Sequence, residues 1–442
     1  MTNNPRTTSN HGPDPAVLSQ ALSAGDPREV KALIALGADL RYQLGEGCDA
    51  LVKALHGRDV FRDERLLDLL HLLIEHGVEL SKVTSHGESG LRVLSRLGRF
   101  DAVRLLLNAG ADEAQLAWTT LIKAVALGTL ADVQSLLAAG APMEDRDWWS
   151  RSAWHVALQV GDIEKAAVLR DRGADVDAVG RCKQPPLFYA IQSHRSGTLR
   201  WLLEMGFDVE RTDEFGGTAL IKAVEVGHEE GVALLLQAGA DIDREHHGGT
   251  ALSEARNRQM VVLLLAAGAN PRYLSAEGRR ALVGLPPEVD ESLLDAVTAD
   301  DFHRARTRRF GANNPERIDE PFWLGMIRSG LTGYQANERF KGPSSFDGQP
   351  VWCAERYGQS LTQLLDGRTV QIAGEHEDGY DPDFCIYNDV FVHDPDGAIH
   401  IYGYPEDVFP PTDFHTATLL GDAIYIIGSL GYKGQRAPGR TP

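Results

Sequence analysis

The sequence predicts a mainly α protein: a solenoid of stacked helix pairs, then a small β-rich C-terminal region. Three observations carry this. A phrase close to Leu-Leu-x-x-Gly-Ala-Asp recurs, with its glycine at Gly37, Gly77, Gly110, Gly140, Gly173, Gly206, Gly239 and Gly268, and three consecutive steps of 33 residues. An alanine keeps the same phase at Ala124, Ala157, Ala190, Ala223 and Ala255. From about Trp352 onward the runs turn β-branched and aromatic, broken by Asp-Gly pairs at 366–367 and 396–397.

Each repeat reads as two short helices. The first starts near a Thr, as in "TTLIKA" (119–124) and "TALIKA" (218–223), whose hydroxyl satisfies free backbone N–H groups. Leu and Ala then face the next unit. The second helix carries an apolar run such as "VALLLQA" at helical spacing. Glycine ends it, because a left-handed residue at a helix C-terminus suits glycine. Polar, turn-forming residues lead to the next unit. One unit cannot bury its apolar faces alone, so the units stack into a continuous core.

In period and in both signatures the pattern resembles the ankyrin repeat. The resemblance covers residues 14–275, about eight units. The second unit departs from it. Gly77 lacks the Ala-Asp, and about seven extra residues sit near "HGRDVFRDERL". In the sixth, Phe207 replaces the alanine. The resemblance implies a structural role for His155 of "SAWHVA", bonding neighbouring turns. Trp118 and Trp154, near helix starts, read as core residues.

Residues 1–13 read as a disordered tail and 276–312 as a helical cap or connector, with helices expected over 289–309. Arg304, Arg306, Arg308 and Arg309 in that stretch read as a solvated helix face, the alternative being a phosphate or acidic-partner contact. Residues 313–442 form the β-rich region. There "RYGQSLTQLLDGRTVQIAGE" with "YNDVFVHDPDGAIHIY" resembles one four-stranded kelch blade, and "FHTATLLGDAIYIIGS" the start of another. Gly374 and Gly428 lie near the ~50-residue kelch period, but each lacks the second glycine of the kelch pair. One and a half blades cannot close a propeller, which needs roughly four or more. The kelch resemblance implies a structural His415.

The chain of 442 residues has 43% hydrophobic content and a formal charge of −19, so nucleic acid and anionic membranes are not expected partners. The four cysteines, Cys48, Cys182, Cys353 and Cys385, have no disulfide-framework spacing. No signal peptide and no apolar run of the ~20 residues that span a bilayer is present. The expectation is a reduced, cytoplasmic, monomeric protein without a cofactor.

No P-loop, G-x-S-x-G, H-E-x-x-H or dinucleotide fingerprint occurs. One dense polar cluster holds Glu375, His376, Glu377, Asp378, Asp381 and Asp383. It reads as an acidic inter-strand loop, with Glu375, His376, Asp381 and Asp383 as the candidates should a cation bind. The loops between repeats are free of core duty, so large side chains there need a reason. Trp148, Trp149, Arg181, Lys183, Phe215, His246 and His247 fall in successive loops and are the candidate partner-binding residues. The leading expectation is a protein-interaction scaffold. The alternatives are an enzyme or metal-binding module in residues 313–442, with the stack selecting substrate, and an antagonist of a partner protein, of immunity or effector type.

Overall fold

The computed structural model describes residues 13–41, 48–56, 63–343, 349–376, 385–429 and 431. The described residues divide into two compact units, with the division between Ala251 and Leu252. Each is described by itself.

The first unit is built from antiparallel helix pairs: α1 (Pro15–Ala24) with α2 (Pro27–Ala35), α3 (Ala50–Leu55) with α4 (Leu66–Glu75), α5 (Gly90–Arg96) with α6 (Phe100–Asn108), and α7 (Thr120–Leu127) with α8 (Leu130–Ala138). Then follow α9 (Ala153–Val160) with α10 (Ile163–Asp171), α11 (Pro186–Gln192) with α12 (Ser196–Glu204), and α13 (Ala219–Glu225) with α14 (Glu229–Gln237). Leu18, Leu22, Leu69, Leu73, Leu91 and Leu106 belong to one buried cluster that runs through successive pairs.

The recurring phrase has a backbone explanation in every part. All eight ruler glycines have positive φ, and a Cβ at any of them would meet nothing within 4 Å. Glycine is there for its torsion, not for space. At Gly239 the turn reverses so that Gly239 N donates to Leu236 O (3.1 Å) and Ala240 N to Leu235 O (3.0 Å), closing the helix end. The same six-residue bond joins Ala111 to Leu106, Ala141 to Leu136, Ala174 to Leu169 and, without the consensus alanine, Val78 to Leu73 and Phe207 to Leu202. The aspartate then accepts from the N–H two residues on, Asp208 from Glu210 (2.9 Å) and Asp241 from Asp243 (3.1 Å). The threonines open their helices as expected: Thr119 Oγ1 accepts from Ile122 N and Thr218 Oγ1 from Ile221 N. Gly239→Val is expected to cost roughly 1–2 kcal/mol, because a β-branched residue is strained in the left-handed region. An unchanged urea midpoint would remove the helix-ending role from that glycine.

The 30-residue step from Gly110 to Gly140 marks a repeat without its projecting loop. The third, fifth, sixth and seventh pairs are each entered through a narrow turn: Thr84 N donates to Glu88 O, Asp147 N to Arg151 O, Gly180 N to Gln184 O and Asp213 N to Gly217 O. The fourth pair has a short 3-10 helix, Glu113–Leu116, in that place. The gap is filled from the fifth. Arg151, fully buried, donates all five of its N–H bonds: two to Asp147 Oδ2 (2.9 and 2.6 Å), one each to Ser95 O (2.7 Å) and Ser95 Oγ (2.6 Å), and one to Gln159 Oε1 (2.5 Å). Gln159 Nε2 donates in turn to Arg96 O (2.7 Å). The third pair therefore meets the fifth directly. It also approaches the sixth: a Cβ on Gly98 would come within 2.3 Å of Ser193 Oγ.

The second unit opens with a 3-10 turn running on from Ala251 to Glu254, then α15 (Arg258–Ala266), α16 (Ala276–Leu282), a 3-10 turn over Glu291–Leu294 and α17 (Ala299–Ala305). The region from 313 is not β alone. After β1 (Glu316–Ile318) come α18 (Pro321–Ser329) and α19 (Gly333–Arg339). Trp323 of α18 stacks on Trp352 with centroids 4.5 Å apart, and Phe302, Phe322 and Phe340 cluster around them. Arg280 donates to Pro286 O, Ile327 O and Arg328 O, so its guanidinium caps the C-terminus of α18.

The strands are β2 (Ser360–Gln363), β3 (Thr369–Ile372), β4 (Glu375–His376), β5 (Cys385–Ile386), β6 (Val390–His393), β7 (Ile399–Gly403), β8 (Thr416–Leu420) and β9 (Ala423–Ile427). β2, β3, β6 and β7 form an antiparallel meander joined by the two Asp-Gly turns, and β1 adds to its β7 edge. β4–β5 and β8–β9 are separate two-stranded sheets. Among the described residues none of the sheets closes into a barrel or propeller.

Candidate partner-binding loop edge

The loop before α9 turns on Asp147, whose Oδ1 accepts from Trp149 N and Arg151 N (both 2.9 Å). The loop before α13 repeats the device: Asp213 Oδ1 accepts from Phe215 N (3.0 Å) and Gly217 N (2.9 Å). Trp149 and Phe215 thus occupy the same position of their hairpins. The residue in line between them is half-buried Cys182, whose carbonyl accepts from Glu214 N (2.9 Å).

The two tryptophans differ. Trp148 is half-buried against the first unit's core, and its backbone N–H donates to Leu116 O (3.2 Å) across the gap left by the short repeat. Arg92 lies over its ring at 5.0 Å. Trp149 sits 4.9 Å from Trp148, with Arg96 (5.2 Å) and Arg181 (4.3 Å) over its ring. Phe215 is 58% exposed at its tip. His246 Nε2 bonds Phe215 O, and its ring lies 4.2 Å from that of exposed His247. Lys183 is exposed beside Arg181.

The structure therefore gathers the candidates into two groups, Trp148–Trp149–Arg181 and Phe215–His246–His247. Sequence reasoning missed Arg92 and Arg96, both on α5, and Arg146, which donates to Val179 O (2.7 Å) and ties two loops together. The 30-residue step was the available signal: it removes one loop and lets α5 reach the tryptophans.

His155 is buried between repeats. Its Nδ1 accepts from Ser152 N (3.2 Å) and its Nε2 meets Ala178 O (2.9 Å), and burial lowers its pKa to about 4. Buried His415 bonds Ser360 Oγ through Nε2 (2.7 Å). Trp154 is buried, and Trp118 is partly buried against the core.

Of the acidic cluster, Glu375 and His376 are buried in β4, paired with Ile386 and Cys385. Glu377, Asp378, Asp381 and Asp383 lie outside the described residues. Among the described residues no group of three or more His, Cys, Asp or Glu side chains could hold a metal ion. Among the described residues of the second unit, one polar constellation is internal. Arg356, fully buried, pairs with Asp389, donates to Cys353 O (2.7 Å) and lies 3.5 Å from the Tyr387 ring centroid. The basic run is not presented as one face: Arg304 pairs with Asp301 and Glu320, Arg309 with Glu316, Arg306 donates to Gln349 O, and Arg308 donates to Ile386 O and lies over Phe310.

A family model described as ankyrin repeats matches residues 121–213 and 187–275. The chain carries ankyrin repeats. The B-cell lymphoma 3 protein homolog of Mus musculus is 31% identical over 173 residues, 37% of this chain and 39% of that protein. The B-cell lymphoma 3 protein of Homo sapiens is 28% identical over 216 residues, 47% of this chain and 48% of that protein. An L-asparaginase of Dirofilaria immitis is 25% identical over 167 residues, 37% of this chain and 28% of that protein. The chain spans less than half the length of each of these relatives. The kelch likeness finds no support in the family comparison. Among the described residues no helix is long and apolar enough to cross a membrane.

Proposed function

We propose that this chain is a protein-interaction scaffold whose partner docks on the loop edge around Trp149, Arg181 and Phe215. The ankyrin repeats point to a protein-interaction role. The observation that carries the location is the pairing of equivalent loop tips: each sets a large aromatic on an Asp-anchored hairpin, Trp149 half-buried between arginines and Phe215 more than half exposed. Exposed aromatics and arginines are the side chains that dominate binding energy at interfaces. The reading carries with it a monomeric, cytoplasmic chain with neither nucleic acid nor membrane as partner. Trp148 serves as the packed base of the site and Trp149 as its contact face.

The test compares Trp149→Ala and Phe215→Ala with wild type for partner recovery from the native host and for thermal stability. Loss of the partner with an unchanged melting temperature is the expected result. If stability and recovery fall together, both aromatics belong to the core and the docking surface lies on the inner helices.

A further inference from the structure

One part of the loop edge gathers cations on a chain that is acidic as a whole. The chain carries −19, yet Arg92, Arg96, Arg146, Arg181 and Lys183 stand around the two tryptophans. Elsewhere some arginines are matched by carboxylates, as Arg304 is by Asp301 and Glu320, and others donate to carbonyls, as Arg104 does to Leu127 O (2.7 Å). Here only Arg96 has an ion pair, with Glu88 at 3.2 Å. Among the described residues Arg92, Arg146, Arg181 and Lys183 form none: Arg92 and Arg146 donate to backbone carbonyls, and Arg181 rests on Trp149. Of the nearby acids, Asp147 is buried on Arg151 and Glu144 accepts from Asp175 N (3.2 Å), while exposed Asp145 and Glu214 stay beside the cations, Glu214 sharing the Cys182 thiol with Arg181.

A guanidinium stacked on an indole keeps its N–H edge open in the plane where a carboxylate binds with two parallel bonds. Stacking also fixes the side chain, so less rotamer entropy is lost on docking. Resting on the scaffold reading above, we propose that this patch receives an acidic segment of the partner protein. Its Asp and Glu side chains would meet Arg181, Lys183 and Arg146 beside Trp149. A peptide fits better than nucleic acid. The cations are confined to two loop tips and the adjoining helix α5 rather than laid out as a stripe, and the chain as a whole is acidic.

The experiment uses the full chain and a fluorescein-labelled deca-glutamate peptide, followed by anisotropy at 50 and 200 mM salt. A deca-lysine peptide and a (dT)15 oligonucleotide are the controls. The glutamate peptide is expected to bind, to weaken several-fold with salt as exposed ion pairs do, and to lose about tenfold in Arg181→Glu/Lys183→Glu. It should also displace the native partner. Arg181→Gln/Lys183→Gln, which removes charge without reversing it, should fall between wild type and the reversed variant, with an unchanged melting temperature. Absent or variant-insensitive binding of the glutamate peptide overturns the inference, as does tighter binding of (dT)15. Partner recovery that needs Trp149 and Phe215 but ignores both charge variants sinks the acidic segment alone. Recovery indifferent to all four positions sinks the docking edge itself.

Discussion

Asp147→Ala is expected to destabilise the first unit by about 3–5 kcal/mol, the range for a buried ion pair that loses one partner. Arg151 is fully buried and Asp147 takes two of its five hydrogen bonds. Removing that carboxylate leaves a buried guanidinium that cannot deprotonate and has only the neutral acceptors of Ser95 and Gln159. It also frees Trp149 N and Arg151 N, which Asp147 Oδ1 now accepts, and so loosens the hairpin. The double variant Asp147→Ala/Arg151→Met should be more stable than Asp147→Ala alone, because the stranded charge goes with it and methionine fills part of the volume. Urea unfolding followed by far-UV circular dichroism reads both. A single variant within 1 kcal/mol of wild type, or a double variant no better than the single, would mean that the pair is not what holds the loop.

Stability is expected to fall as pH drops from about 6.5 to about 4, and His155→Gln should flatten much of that fall in the first unit. Burial lowers His155 to about 4. The unfolded chain, with an ordinary histidine near 6.5, therefore binds the proton first. The contribution is complete above pH 6.5 and is lost progressively toward pH 4, to a limit of order 3 kcal/mol. The geometry agrees: Nδ1 accepts from Ser152 N, so a proton there would face another N–H. His393, lowered to about 4 by burial and with Nε2 on Gln371 Oε1 (2.7 Å), acts in the same sense in the second unit. Asp49 and Glu355, raised by burial, act in the opposite sense as their carboxyls protonate, so the histidine part is read from the difference between wild type and His155→Gln. Equal pH slopes for the two proteins would remove His155 from the account.

The helix pairs were legible because each is specified locally. Threonine caps, the Leu-to-Ala closing bond and the left-handed glycine are all set within about six residues, so their period survives in sequence. The 30-residue step was equally visible, but its consequence was not. Arg151 reaches Ser95, 56 residues away, and no local pattern encodes such a partner. The helix α18 was missed because "PFWLGMIRS" buries Phe322, Trp323, Met326 and Ile327 together, leaving no clear polar stripe to mark a helical period. Of the loop edge, the aromatics were legible as misplaced large side chains. That one is packed and the other sandwiched by arginines depends on α5, which lies more than fifty residues upstream.

A stack whose members touch only their neighbours behaves as a one-dimensional chain: it frays from its ends, one repeat at a time, and its free energy is a sum of single-repeat and nearest-neighbour terms. The bond from Arg151 to Ser95 and the contact of Gly98 with Gln159 and Ser193 add second- and third-neighbour terms to that sum. Unwinding from the N-terminal side can then proceed freely only as far as α5. Detaching α5 would expose a guanidinium held in the fifth pair, so the third to sixth pairs must melt as one cooperative block. Shortening the array from that end would lower stability in small steps, then abruptly when the cut passes residue 95.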